Sequence, residues 1–243
     1  MSNSTTRRFS AFTLVELMIV IGVISILAAM TFPAVGFVRN RAQQNACLSN
    51  MRQWGMAFSG YLDEHRGKFP SPFGKDDKEV WYNVLSPYLG EPSMKELCDA
   101  DKAPVAGQSG RTAYLCPVDR AGDLFEDEKT GSKQPYSSYA MNANIADSVS
   151  KSGGKRLRLP QLRHPSTFVV LAESGIGCED GITRTKLHTA GPAGDAFRHS
   201  RSINLCFADG SAGRFAEEDI HPDSPDNVAA GHIIWSAEVD AEN

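Results

Sequence analysis

The stretch Phe12–Val38, FTLVELMIVIGVISILAAMTFPAVGFV, constrains this chain more than any other. It is apolar apart from one carboxylate, Glu16, and the small hydroxyls of Thr13, Ser25 and Thr31, and it holds no Lys or Arg. A helix rises about 1.5 Å per residue, so roughly 20 residues cross a bilayer core. Phe12–Phe32 supplies 21 residues before Pro33. A membrane-spanning helix over 12–38 is therefore expected. Glu16 is the anomaly within it. A charge at bilayer depth costs at least ~2.5–3.5 kcal/mol, which marks a functional position. A single-pass helix holds no internal partner for it, so the partner is expected from another chain, such as an amino group. The plainer reading is a carboxylate solvated among headgroups.

Charge sets the orientation. Arg7 and Arg8 flank the apolar run on its N-terminal side, which the positive-inside rule keeps cytoplasmic, although Arg39 and Arg41 lie on the other flank. The residues from 67 onward are numerous enough for one globular domain with its own core. They are then expected on the extracytoplasmic side. The formal net charge of −4 argues against nonspecific binding along nucleic-acid phosphates. An exported domain meets oxidising conditions, so among Cys47, Cys98, Cys116, Cys178 and Cys206 one or two disulfides are expected. Cys98 with Cys116, or Cys47 with either of them, are the pairings considered. No CxxC pair occurs, which argues against a zinc ribbon or thioredoxin-like site.

Beyond Pro33 the helix is expected to continue. Cys47, Met51, Trp54, Phe58 and Tyr61 are spaced 4, 3, 4, 3, a helical stripe suited to a core face, and Gly67 is a natural stop. Val80–Leu89 reads as a short helix interrupted by Pro87. Thr112–Cys116 is a short strand candidate. Thr167–Ala172 is the clearest strand, and Ile203–Ala208 alternates apolar residues in strand fashion. Asp209-Gly210 followed by Ala212–Phe215 is a hairpin signal. His232–Ser236 looks like a last strand. One long helix followed by antiparallel strands predicts an α+β domain in which the helix covers a sheet. Four segments result: 1–11, 12–38, the amphipathic continuation 39–66, and a globular domain 67–243.

Arg7 and Arg8 followed by Ser10-Ala11-Phe12-Thr13-Leu14-Val15-Glu16 resemble the leader and cleavage site of type IV prepilins and type II secretion pseudopilins. The resemblance implies a pilin-like fold: a long N-terminal helix, its first half in the membrane, packed on a C-terminal antiparallel sheet. It also implies cleavage between Ala11 and Phe12 by a prepilin peptidase, and methylation of the new N-terminus. Glu16 would then pair with a neighbour's terminal amine during assembly. Pro33 matches a proline common in such helices. Ala11 departs from the Gly usual before the cut. The expected partners are the prepilin peptidase, other pilin-like subunits and the membrane, with no nucleic acid. The expected location is the cytoplasmic (inner) membrane, single-pass, with the C-terminal domain periplasmic or extracytoplasmic.

A second resemblance spans nearly the whole chain. His199 and Asp209-Gly210 are separated as in HSRSINLCFADG, a His, nine residues, then Asp-Gly. Cys47-Leu48-Ser49-Asn50-Met51-Arg52-Gln53, Phe69-Pro70, Cys116-Pro117, Ser138-Tyr139-Ala140-Met141-Asn142 and Glu173-Ser174 accompany it in that order. Together these are similar to a large family of prepilin-like proteins named for the H-x9-DG motif. The family resemblance implies architecture and location rather than a reaction.

Asp209 sits where a hairpin turn takes a residue tolerant of left-handed backbone, and Gly210 suits the next position. His199 opens the incoming strand, within reach of the hairpin or of Glu173. The structural role is favoured over a metal or acid–base site built from His199, Asp209 and Glu173, because no third ligand has motif spacing. No catalytic nucleophile and no metal site is expected. Acidic loops at Asp76–Glu79 and Asp123–Glu128 offer the oxygens that calcium takes, and major pseudopilins of the broad superfamily bind it, but neither loop has EF-hand order. The expected function is a structural subunit of a type II secretion or type IV pilus-like apparatus, not an enzyme. The alternative is a membrane-anchored binding module or enzyme that uses the His199/Asp209 region.

Overall fold

A computed structural model describes residues 13–71, 80–100, 102, 112–118, 125–126, 133–134, 137–142, 145, 157–173, 197–220 and 233–234, without the side chains of 31–35, 125–126 and 133–134. Ala11, Phe12 and the loop Asp76–Glu79 lie outside the described residues, as does all of Asp123–Glu128 except 125–126. The chain divides into two compact units, one ending at Ala42 and the other beginning at Gln43. Helix α1 (Leu14–Glu64) contributes to both.

In the first unit, α1 opens with a capping box. Glu16 N–H donates to Thr13 Oγ1 at 3.2 Å, while Thr13 N–H and Oγ1–H donate to Glu16 Oε2 at 3.0 and 2.8 Å. The Thr-x-x-Glu spacing satisfies two N-terminal N–H groups that a helix otherwise leaves without partners. Glu16 thus has a partner on its own helix, contrary to expectation. The large apolar side chains from Leu14 to Met30 are exposed. The expected membrane-spanning helix at 12–38 is not found: among the described residues no helix is long and apolar enough to cross a membrane. The reason is extent. Side chains are described for 13–30 and again from 36 onward, so the apolar stretch is described only in part.

In the second unit, α1 turns Cys47, Met51, Trp54, Phe58 and Tyr61 into the main core, the stripe their spacing predicts. The helix stops where Arg66 and Gly67 take positive φ of 55° and 74°, and Gly67 N–H donates to Leu62 O at 2.7 Å. Helix α2 (Trp81–Leu89) follows, then α3 (Met94–Asp99). Pro87 does not interrupt α2. Proline has no N–H to give the carbonyl of Asn83, and Ser86 Oγ–H donates to that oxygen instead, at 2.8 Å. The strand expected at Thr112–Cys116 is a turn. Side chains take its backbone groups before a ladder can. Trp54 Nε1–H donates to Ala113 O at 2.7 Å, Asn50 Nδ2–H to Leu115 O at 2.8 Å, and Ala113 N–H to Glu91 Oε1 at 2.9 Å.

Two short strands, β1 (Phe125–Glu126) and β2 (Lys133–Gln134), pair antiparallel. The main sheet holds β3 (Tyr139–Met141), β4 (Val169–Glu173), β5 (Ser202–Phe207) and β6 (Ala212–Ala216), in that order and antiparallel throughout. Of the expected last strand, Ile234 bridges Phe168 in parallel. An N-terminal helix with a C-terminal antiparallel four-stranded sheet gives the α+β class. Both faces of the sheet are covered. Ile203, Leu205 and Phe207 alternate along β5 and build a second cluster with Val169, Ala172, Phe197 and Phe215, apart from the core that contains α1. The intervening Cys206 joins the α1 core.

The β5–β6 turn differs from expectation in one respect. Only Gly210 has positive φ, 83°, and its N–H donates to Phe207 O at 2.9 Å. Asp209 acts through its side chain: Oδ1 accepts from Ser211 N–H at 2.9 Å and from Ser211 Oγ–H at 2.6 Å. Gly210 also lies against α1. A Cβ there would meet Ser59 Oγ, and a Cβ on Gly55 would meet Gly210 O. The helix crosses the turn backbone to backbone, which only hydrogen at both Cα positions permits.

Candidate functional site

His199 is aimed by an unusual turn. The two residues after it, Ser200 and Arg201, both have positive φ, 55° and 60°, which costs side-chain-bearing residues free energy. The turn folds the chain back so that His199 N–H donates to Ser202 O at 3.3 Å, and the imidazole lies at the mouth of β5, beside the end of β4. There Glu173 pairs with Tyr139 of β3 in the ladder and sends its carboxylate toward the ring. His199 Nε2–H donates to Glu173 Oε1 at 2.6 Å.

The carboxylate is held from a second direction. Asn204 N–H donates to Oε2 at 2.8 Å, and Asn204 Nδ2–H to Oε1 at 3.0 Å. Asn204 Oδ1 accepts from Arg214 Nε–H at 3.3 Å. Arg214 then reaches α1, donating from NH2 to Gln44 O at 2.6 Å. Each atom of this buried network has a stated partner except His199 Nδ1, which has none among the described residues. A carboxylate buried this deeply is tolerable only with such donors around it.

Sulfur completes the cluster. Cys47 of α1 and Cys116 form a disulfide across 69 residues. Of the three cysteines considered for pairing, Cys98 takes no part. Cys116 is placed by α1 side chains bonding the backbone around it, from Asn50 as above and from Gln43 Nε2–H to Pro117 O at 3.4 Å. Its Sγ stands 3.5 Å from His199 Nε2. Ligand atoms of Cys47, Cys116, Glu173 and His199 all lie within 4.8 Å of one another, and all four residues are buried. Among other thiols, Cys206 is fully buried, and burial holds its pKa far above the ordinary range, so it stays a neutral thiol.

Of the trio His199, Asp209 and Glu173, weighed as the less favoured alternative to a structural role, only two come together. His199 and Glu173 meet; Asp209 spends its carboxylate on Ser211 and stands outside. Cys47 and Cys116 replace it, a grouping the motif spacing did not reveal. A signal was present, because three of the accompanying blocks supply Cys47, Cys116 and Glu173, and the motif itself supplies His199. Glu16, at the other end of the chain, sits exposed in its capping box. Residues 6–32 match the prokaryotic N-terminal methylation motif. The methylation motif encloses Ala11, Phe12 and Glu16 and most of the exposed apolar run of α1. No match to the chain is found among curated proteins or solved structures.

Proposed function

We propose that the chain is a pilin- or pseudopilin-like structural subunit, cut by a prepilin peptidase between Ala11 and Phe12 and methylated at the new terminus. The observation that carries this reading is the methylation motif over residues 6–32. The exposed apolar residues of α1 supply what assembly needs: a helix with no polar obligation except at Glu16. We place the apolar stretch 12–38 in the cytoplasmic membrane before assembly, with the second unit on the extracytoplasmic side. In a type II secretion or type IV pilus-like apparatus, Glu16 exchanges its Thr13 partners for the N-terminal amine of a neighbouring subunit. Gly22, Ser25, Ala28 and Ala29 give the close approach that helices pack through in apolar surroundings. The alternative of a binding module or enzyme working through His199 has less support, because His199 and Glu173 are buried and no macromolecule reaches them.

Intact mass and N-terminal sequencing of protein from native membranes test the reading. The expected result is a chain starting at Phe12 with one added methyl, and Glu16→Ala abolishes assembly while leaving the second unit folded. A chain starting at Met1 overturns it.

A further inference from the structure

We infer that Cys47, Cys116, Glu173 and His199 form a zinc site whenever the two cysteines are reduced. The inference is independent of the assembly role. Four donors converge from four places: α1, the 112–118 turn, the end of β4 and the turn before β5. Their ligand atoms already lie within 4.8 Å of one another. A tetrahedral zinc with bonds of roughly 2.0–2.3 Å holds its ligand atoms roughly 3.3–3.8 Å apart. His199 Nε2 and Cys116 Sγ, at 3.5 Å, are at that separation already. The His199–Glu173 contact at 2.6 Å must open by roughly 1 Å, and the two sulfurs must part.

The donor set selects the ion. Two thiolates, an imidazole and a carboxylate suit zinc, whereas calcium and magnesium take oxygen ligands. The supporting contacts are those of a held ligand. Asn204 fixes Glu173 through both its N–H and its side-chain amide, and Arg214 lies one hydrogen bond beyond. Zinc with two thiolates and one carboxylate leaves one net negative charge, and the Arg214 guanidinium offsets it. Such outer partners orient ligands and raise metal affinity.

The chemistry balances with a dithiol as reductant. The dithiol gives two electrons and two protons to the Cys47–Cys116 bond and closes to its own cyclic disulfide. Zinc then displaces the two thiol protons, forms two Zn–S bonds, and takes the Nε2 lone pair and a Glu173 oxygen as the remaining ligands. The Nε2 proton leaves with the thiol protons or moves to Nδ1. Disulfide and zinc therefore exclude each other at one place.

The test uses the full chain in detergent, reduced with a dithiol under anaerobic conditions and dialysed against zinc chloride, beside the oxidised chain treated identically. Mass spectrometry of bound metal is expected to give about one zinc per reduced chain and none per oxidised chain. Cobalt(II) in place of zinc is expected to give the visible absorption of a tetrahedral thiolate complex. Glu173→Gln and His199→Ala weaken zinc binding by at least about tenfold in the reduced chain. The oxidised wild type is the same sequence, so its lack of zinc needs no foldable variant. Equal zinc in both redox states overturns the site. So does a reduced chain that binds no zinc, whether it is folded or remains unfolded with zinc present.

Discussion

A single imidazole decides how Glu173 is tolerated. With His199 in place, the carboxylate accepts from Nε2, from Asn204 N–H and from the Asn204 amide. Replacing His199 by Ala removes one of three hydrogen-bond donors and leaves a void beside a buried carboxylate. The expected loss is about 3–5 kcal/mol, read as a lower denaturant midpoint for the oxidised chain. A change under about 1 kcal/mol would show that the network relaxes without the ring. Asp209→Ala removes only an exposed turn contact, so a far smaller loss serves as the comparison within the same motif. At this scale the sequence was half legible. His199 and Glu173 were visible as a pair because polar residues that open and close strands tend to meet at a sheet end. Asp209 was legible as a turn residue, but the left-handed backbone expected there falls on Gly210, because the sequence does not say which residue of an Asp-Gly pair takes it. The role of Cys116 was hidden because a turn 83 residues from His199 leaves no trace in spacing.

At the scale of elements, periodicity carried most of the information. The Cys47–Tyr61 stripe and the alternation in β5 both became buried faces, because a helix or strand has one way to present such a pattern. Pattern did not say which core each face would join: Ile203, Leu205 and Phe207 turned away from α1. Nor did it reveal that side chains of α1 would claim the backbone at 112–116 and prevent a strand. At the crossing of Gly55 and Gly210, α1 and the β5–β6 turn meet without room for a side chain. Alanine is normally the better helix residue by about 1 kcal/mol. At Gly55 its methyl would strike a carbonyl oxygen that belongs to a tight turn and cannot rotate away. Gly55→Ala is therefore expected to destabilise the second unit by ~1–3 kcal/mol. A thermal melt that rises instead would show that the crossing yields.

For the molecule as a whole, the Cys47–Cys116 disulfide is a strong constraint on the unfolded chain. Closing a loop of 69 residues is worth about 4 kcal/mol in the chain-entropy account. Cys47→Ser with Cys116→Ser is expected to lower the unfolding free energy of the oxidised chain by roughly that amount, measured by denaturant titration without metal. An unchanged midpoint would mean that the reduced unfolded state is already compact. The class followed from the sequence, since one long helix before several strands leaves few arrangements. The pairing of distant cysteines did not, because loop length alone scarcely separates one partner from another. The same link also imposes a schedule. A ribosome makes Cys47 and Cys116 before it makes Glu173 and His199, so both sulfurs emerge while half of the zinc ligands do not yet exist. Whichever oxidant the nascent chain meets first has them alone, so the disulfide can close before the other two residues of the cluster have been made.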